Sequence, residues 1–162
     1  MIKGKVWKYG DGINTDVIFP GRYLALTDPD EMAKHAMEDL DADFVNKVQA
    51  GDIVVAGRFF GCGSSREQAV TCLKYAGVSA IVAKSFARLF FRNAVNLGMP
   101  VVQLPDTDKI ENGHELEIDL RSGELKIVDM DELLHFKPLP EFILRIIEDG
   151  GLIPNLKKRL DL

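Results

Sequence analysis

The sequence predicts an α/β fold, a mixed sheet with flanking helices in a β/β/α arrangement. Two stretches carry the prediction. Between residues 52 and 83 an apolar run, a glycine-rich turn, a helical stretch and a second apolar run follow one another, the order of a parallel βαβ unit. Later, residues 115–120 and 124–128 alternate in polarity around Arg121-Ser122-Gly123, which signals an antiparallel hairpin. Parallel and antiparallel pairs that share one core make the sheet mixed.

The elements follow in order. Residues 3–9 alternate polar and apolar through Lys5, Val6, Trp7, Lys8 and Tyr9 and read as a first strand. A polar loop, 10–16, leads to Val17-Ile18-Phe19 and then to Pro20-Gly21. Asp28 fits an N-cap, with Pro29 at the first helical position and Glu31 three residues on, so a helix is expected over 29–40. A shorter helix is expected over 44–48. Strand 52–57, helix 66–76 and strand 79–83 form the βαβ unit, whose crossover should be right-handed. Ala69, Val70, Leu73 and Ala76 give that helix its apolar face, and Gly77 fits its C-terminal cap. Next come a helix over 86–96, a strand over 100–104 and the hairpin. A helix over 140–148 is apolar at Phe142, Ile143, Ile146 and Ile147, and Gly150-Gly151 opens a last helical stretch, 152–162. One domain over 1–162 is expected, with a C-terminal extension from about 150.

Composition excludes several classes of function. Apolar residues make up 46% and charged residues 28%, which allows an ordinary globular core. No stretch approaches the roughly 20 apolar residues of a membrane span. The start, Met1-Ile2-Lys3-Gly4-Lys5, leads into no apolar signal core, so a cytoplasmic protein is expected. The net charge is −5 and no basic cluster is interleaved with aromatics, which argues against nucleic acid. Lys157-Lys158-Arg159 reads as a solvated helix face. Cys62 and Cys72 form no CxxC pair and the three histidines are scattered, so no metal site is expected in this chain. Cys72 falls on an apolar helix face and reads as a core residue, whereas Cys62 sits in the glycine turn, open to reaction.

The turn Gly61-Cys62-Gly63-Ser64-Ser65-Arg66-Glu67-Gln68 says most about function. Between the end of a strand and the start of a helix, glycines let backbone approach a ligand, and the helix N-terminus favours an anion. Two hydroxyls and a guanidinium at that spot suit a carboxylate or phosphate. The same residues also fit a capping box, Ser64 with Glu67 or Ser65 with Gln68, in which a serine does no more than cap the helix. Two glycines, a cysteine and an arginine exceed what a cap requires, and the oxyanion reading is favoured. A phosphate- or nucleotide-binding module is the alternative outside enzyme chemistry. It lacks both Gly-x-x-x-x-Gly-Lys-[Ser/Thr] and a Gly-x-Gly-x-x-Gly fingerprint with its acidic partner. A serine hydrolase would need Gly-x-Ser-x-Gly and a histidine near the turn.

Three motifs in order, Asn14-Thr15-Asp16, Gly61 through Ala69, and Lys84-Ser85-Phe86-Ala87-Arg88-Leu89-Phe90-Phe91-Arg92-Asn93, are similar to those of the 3-isopropylmalate dehydratase small-subunit family. That family belongs to the aconitase swivelling-domain superfamily, and the resemblance spans nearly the whole chain. It implies an aconitase-like swivel domain and a role in leucine biosynthesis. It also implies a large-subunit partner, in a heterodimer or heterotetramer, that carries a [4Fe–4S] cluster, with no cofactor bound by this chain. The implied substrate is a small hydroxy-dicarboxylate, which loses and regains water. Carried over residue by residue, Ser64 is the base, Ser65 and Arg66 grip a substrate carboxylate, and Thr15 and Asp16 join them in substrate binding, Asp16 orienting Arg66 or the substrate. The segment Tyr23-Leu24-Ala25-Leu26 matches the family's specificity loop. Homoaconitase-type members place an arginine there, and Ala25 here favours isopropylmalate over homocitrate. Arg22 beside it is close enough to swing in. A homoaconitase small subunit, or that of a related hydro-lyase, is the alternative within the family. For Arg88 and Arg92 the plain reading is surface charge or large-subunit contact.

Overall fold

The computed structural model describes residues 1–162. Seven strands form one mixed sheet in the order β4-β3-β2-β1-β5-β6-β7. Its parallel half consists of β1 (Ile2–Lys8), β2 (Ile53–Ala56), β3 (Ala80–Ala83) and β4 (Val101–Gln103), while β5 (Glu115–Asp119), β6 (Glu124–Ile127) and β7 (Glu132–His135) continue it antiparallel. The predicted βαβ unit is present as β2, α4 (Glu67–Tyr75) and β3, and the predicted hairpin as β5 and β6. The helices α1 (Thr15–Ile18), α2 (Pro29–Ala33), α3 (Phe44–Lys47), α5 (Arg88–Asn96), α6 (Glu141–Glu148) and α7 (Leu152–Arg159) flank the sheet.

Strand alternation divides the interior in two. Val54, Ala56, Ile81 and Ala83 face a core shared with α4 and α5. Ile53, Val55, Ala80 and Val82 face a second core with Leu116, Ile118, Leu125 and Ile127 of the antiparallel half. No residue of the seven α-helices enters that second core, so the sheet covers its own face by curling. Strands β2 and β3 are consequently buried on both sides, which is why their sequences are continuous apolar runs.

Two points of the sequence reading need correction. The helix expected over 29–40 stops at Ala33. Beyond it, Met37 takes a left-handed φ of 60° and its N–H donates to Ile18 O at 2.8 Å, so a bond to α1 replaces the next helical turn. Asp28 caps the helix as expected, but Glu31 pairs with Lys34. Strand β7 escaped the sequence reading; it forms after Asp131 turns the chain at φ 49°. The capping alternative for Ser64 and Ser65 is not used, since neither caps α4. The capping position falls on Arg66, which makes no side-chain cap bond. At the other end Gly77 follows the helix at φ 108°, as expected. The C-terminal stretch is docked: Gly151 lies against Asn96 O at the end of α5, and Asn155 is buried, donating to Asp149.

Candidate active site

The candidate site is built on loops that leave the C-terminal ends of β1, β2 and β3, where open α/β sheets bind ligands. The pairing of β1 with β2 continues past both strands. Gly12 N–H donates to Arg58 O at 2.8 Å, Gly61 N–H to Ile13 O at 2.7 Å and Thr15 N–H to Cys62 O at 2.8 Å. On the other flank Phe60 N–H donates to Ser85 O and Ala87 N–H to Phe60 O. The glycine turn is therefore held from both sides by backbone. Gly61 has a φ of 82°, and a Cβ there would come within 2.2 Å of the Phe90 ring. Only glycine fits this close approach.

Asn14, Thr15 and Asp16 each do something different. Asn14 Oδ1 accepts from Val17 N–H and caps α1. Thr15 is 2% exposed and donates its hydroxyl proton to Ser64 O at 2.8 Å, its Oγ1 lying 3.4 Å from Ser64 Oγ. Asp16 Oδ1 pairs with Arg66 Nη2 at 2.5 Å. Arg66 also donates from Nη1 to Phe19 O at 3.1 Å. Its side chain is 18% exposed, whereas that of Asp16 is 62% exposed. Ser64 and Ser65 are exposed. Two of the five guanidinium N–H groups are thus engaged in fixing Arg66, and three are uncommitted.

The segment 21–27 starts against this guanidinium, since a Cβ on Gly21 would lie 3.5 Å from Arg66 Nη2. Tyr23 and Leu26 pack on the main core, and Tyr23 stacks on His35 with ring centroids 3.7 Å apart. Leu24 and Ala25 are exposed. Within the loop, Tyr23 and Leu26 are anchors, and Leu24 and Ala25 are left on the surface. Arg22 does not swing toward it. It is held by Asp39 at 2.9 and 2.6 Å and by Glu38 at 3.3 Å.

Cys72 is fully buried and its Sγ donates to Ala69 O and Ile18 O. Burial pushes its thiol pKa far up. Cys62 is partly exposed in the turn. No three His, Cys, Asp or Glu side chains gather into a metal-holding group. The donor set of this chain does not fit an iron–sulfur cluster.

Thr15, Asp16, Ser64, Ser65 and Arg66 are therefore gathered around one turn, while Tyr23-Leu24-Ala25-Leu26 is joined to it only through the start of its segment at Gly21. Sequence reasoning missed the tie from Thr15 to Ser64 and the Phe19 carbonyl that fixes Arg66; backbone partners leave no residue-type signal. It also passed over Phe59, a bulky residue at φ 57° and 63% exposed.

Residues 12–107, which include all of these groups, match the aconitase C-terminal domain family. The chain is 54% identical to 3-isopropylmalate dehydratase small subunit 1 of Thermotoga maritima, covering 98% of this chain and 96% of the relative. It is 49% identical to the isopropylmalate/citramalate isomerase small subunit of Methanocaldococcus jannaschii, covering 99% and 96%. Among solved structures, 3-isopropylmalate dehydratase from Methanocaldococcus jannaschii superposes with a TM-score of 0.94 at 46% identity, covering 98% of this chain and 95% of that one.

Proposed function

Because the chain belongs to the aconitase C-terminal domain family, as the small subunit of a dehydratase that works with a large-subunit partner, we propose that it supplies the proton-transfer and carboxylate-binding half of an isopropylmalate isomerase. The reaction is the interconversion of 2-isopropylmalate and 3-isopropylmalate through 2-isopropylmaleate, within leucine biosynthesis. The large subunit would carry the [4Fe–4S] cluster and receive the departing hydroxyl; this chain alone would be inactive. The observation that carries the reading is Ser64 tied to buried Thr15 beside an Arg66 already fixed by Asp16 and Phe19.

Each group has a task that its surroundings support. Ser64 would take the carbon-bound proton. An unassisted serine is a poor base, and two features oppose that: the N-terminus of α4, worth roughly half a positive charge, and the full charge of Arg66. Both favour an alkoxide once a partner closes the exposed face and expels water. Arg66, with Ser65 beside it, would hold a substrate carboxylate in a two-bonded fork. Asp16 keeps the guanidinium in place. Thr15, buried behind Ser64, positions the base and has little surface left to touch substrate. Leu24 and Ala25 would meet the isopropyl group. With Arg22 committed to Asp39 and Glu38, the loop offers no cation to the additional carboxylate of homocitrate, which a buried site would leave unpaired at high cost.

The test is reconstitution with the large subunit under anaerobic conditions, with isopropylmalate and homocitrate assayed in parallel. Turnover of isopropylmalate by the complex and none by the lone chain is expected. Turnover by the lone chain, or a preference for homocitrate, would overturn the reading.

A further inference from the structure

Beside the glycine turn lies a groove of about 790 Å³ lined by Phe86, Arg88, Leu89, Phe91 and Arg92 among others. We propose that this face, with Phe59 at its margin, is where the large subunit docks, and that the large subunit meets it with carboxylates set among apolar side chains. The inference rests on the functional reading above and adds a surface to it.

Charge is the first argument. The chain carries a net charge of −5, and Arg22, Arg66, Arg121 and Arg145 are each paired with a carboxylate. Arg58, Arg88, Arg92 and, in the C-terminal helix, Arg159 have no such partner, and of these Arg88 and Arg92 line the groove. Arg88 and Arg92 are exposed and stand at i and i+4 on α5, where like charges repel one another across a helix turn. Neither arginine has a carboxylate within ion-pair distance in this chain, so a carboxylate from a partner would offset that repulsion.

Apolar exposure is the second. Phe59 is 63% exposed and Leu89 50%, both next to these arginines in sequence. Phe59 also keeps a left-handed backbone that costs a bulky residue energy, held by its N–H bond to Ser85 Oγ at 2.9 Å. An aromatic that is strained and uncovered contributes nothing visible to this fold. Aromatic and arginine side chains are the types that anchor interfaces. Beneath the groove Phe60, Phe86, Phe90 and Phe91 pack ring on ring, with neighbouring centroids 5.1 to 6.3 Å apart, so the surface is preformed.

Continuity is the third. Phe60 bridges to Phe86, and Gly61 lies against Phe90. The groove and the Ser64 turn are thus neighbouring parts of one face. A partner that closes the turn comes to rest on the groove.

The experiment measures binding of the chain to its own large subunit. Arg88→Glu with Arg92→Glu should weaken the complex by at least about tenfold. The wild-type complex should weaken as salt rises from about 50 mM to about 500 mM while the variant responds less. Phe59→Asn should weaken assembly while the melting temperature of the isolated chain holds or rises, because asparagine accepts the left-handed backbone. At saturating large subunit both variants should keep wild-type kcat. Wild-type affinity in both would overturn the docking face. So would a wild-type chain that sediments as a dimer which the arginine variant abolishes, since a second copy would then own the groove. A wild-type chain that does not bind the large subunit at all would instead overturn the functional reading on which the inference rests.

Discussion

Replacing Thr15 by valine removes one hydroxyl from a site that is 2% exposed and leaves the side-chain volume nearly the same. The bond lost is the 2.8 Å donation to Ser64 O. A neutral hydrogen bond of this kind contributes about 1 kcal/mol, and in a chain of this size that lowers the melting temperature by about 2–4 °C. The larger effect falls on catalysis. Ser64 is exposed, and Thr15 holds it from behind, with Oγ1 also 3.4 Å from the serine hydroxyl. A base displaced by about 1 Å loses on the order of 100-fold in rate. Arg66 keeps both of its own contacts, to Asp16 and Phe19, so substrate binding should hardly change. The expected result in the assembled enzyme is a kcat lower by about 100-fold at a nearly constant KM. Thr15→Ser, which restores a hydroxyl, should recover most of the rate. Steady-state kinetics on isopropylmalate and a thermal melt of each variant decide the matter. A raised KM with unchanged kcat would refute the positioning role and make Thr15 a substrate ligand.

Ser64→Ala should lower kcat by about 10³-fold or more while the melting temperature stays put, because no helix cap is removed; retained turnover would take the proton transfer away from Ser64. Ala25→Arg should reduce activity on isopropylmalate, with Ala25→Leu as the control for bulk, and unchanged kinetics would mean that the loop does not line the substrate. The two cysteines should behave differently toward iodoacetamide near pH 8. Burial raises the pKa of Cys72, so the reactive thiolate is scarce there and only Cys62 should be labelled until the chain unfolds; mass spectrometry showing two fast thiols in the native chain would contradict this.

Much of this was legible because periodicity and turn chemistry act locally. The unbroken apolar runs of β2 and β3, the Asp28-Pro29 start of α2 and the Arg121-Ser122-Gly123 hairpin all fold as their neighbours dictate. The end of α2 was not legible, because the N–H of Met37 is satisfied by Ile18, a residue of another helix. Ser64 and Ser65 matched a capping pattern that the structure does not use. The chain enters α4 one step later, through Arg66, whose side chain is drawn back to Asp16 and Phe19. The motifs thus marked residues that meet around one turn, with Asp16 set beside Arg66, but left open how Thr15 and Phe19 are tied to that turn. The ties of Thr15 to Ser64 O and of Arg66 to Phe19 O run to backbone carbonyls, and composition carries no trace of them.

The site also has no local existence. Thr15 and Ser64 are 49 residues apart in the chain, and Arg66 and Phe19 are 47 apart. The ladder from Gly12 to Thr15 forms only after β1 and β2 have lain side by side. Such long loops close late in folding, because their entropy must be lost before any contact rewards it. A nascent or proteolysed fragment that ends before residue 60 therefore holds half a site and no means of fixing it. The amides of Gly61 and Thr15 are bonded to Ile13 O and Cys62 O, so the candidate catalytic turn should exchange its amide protons more slowly than an unbonded loop.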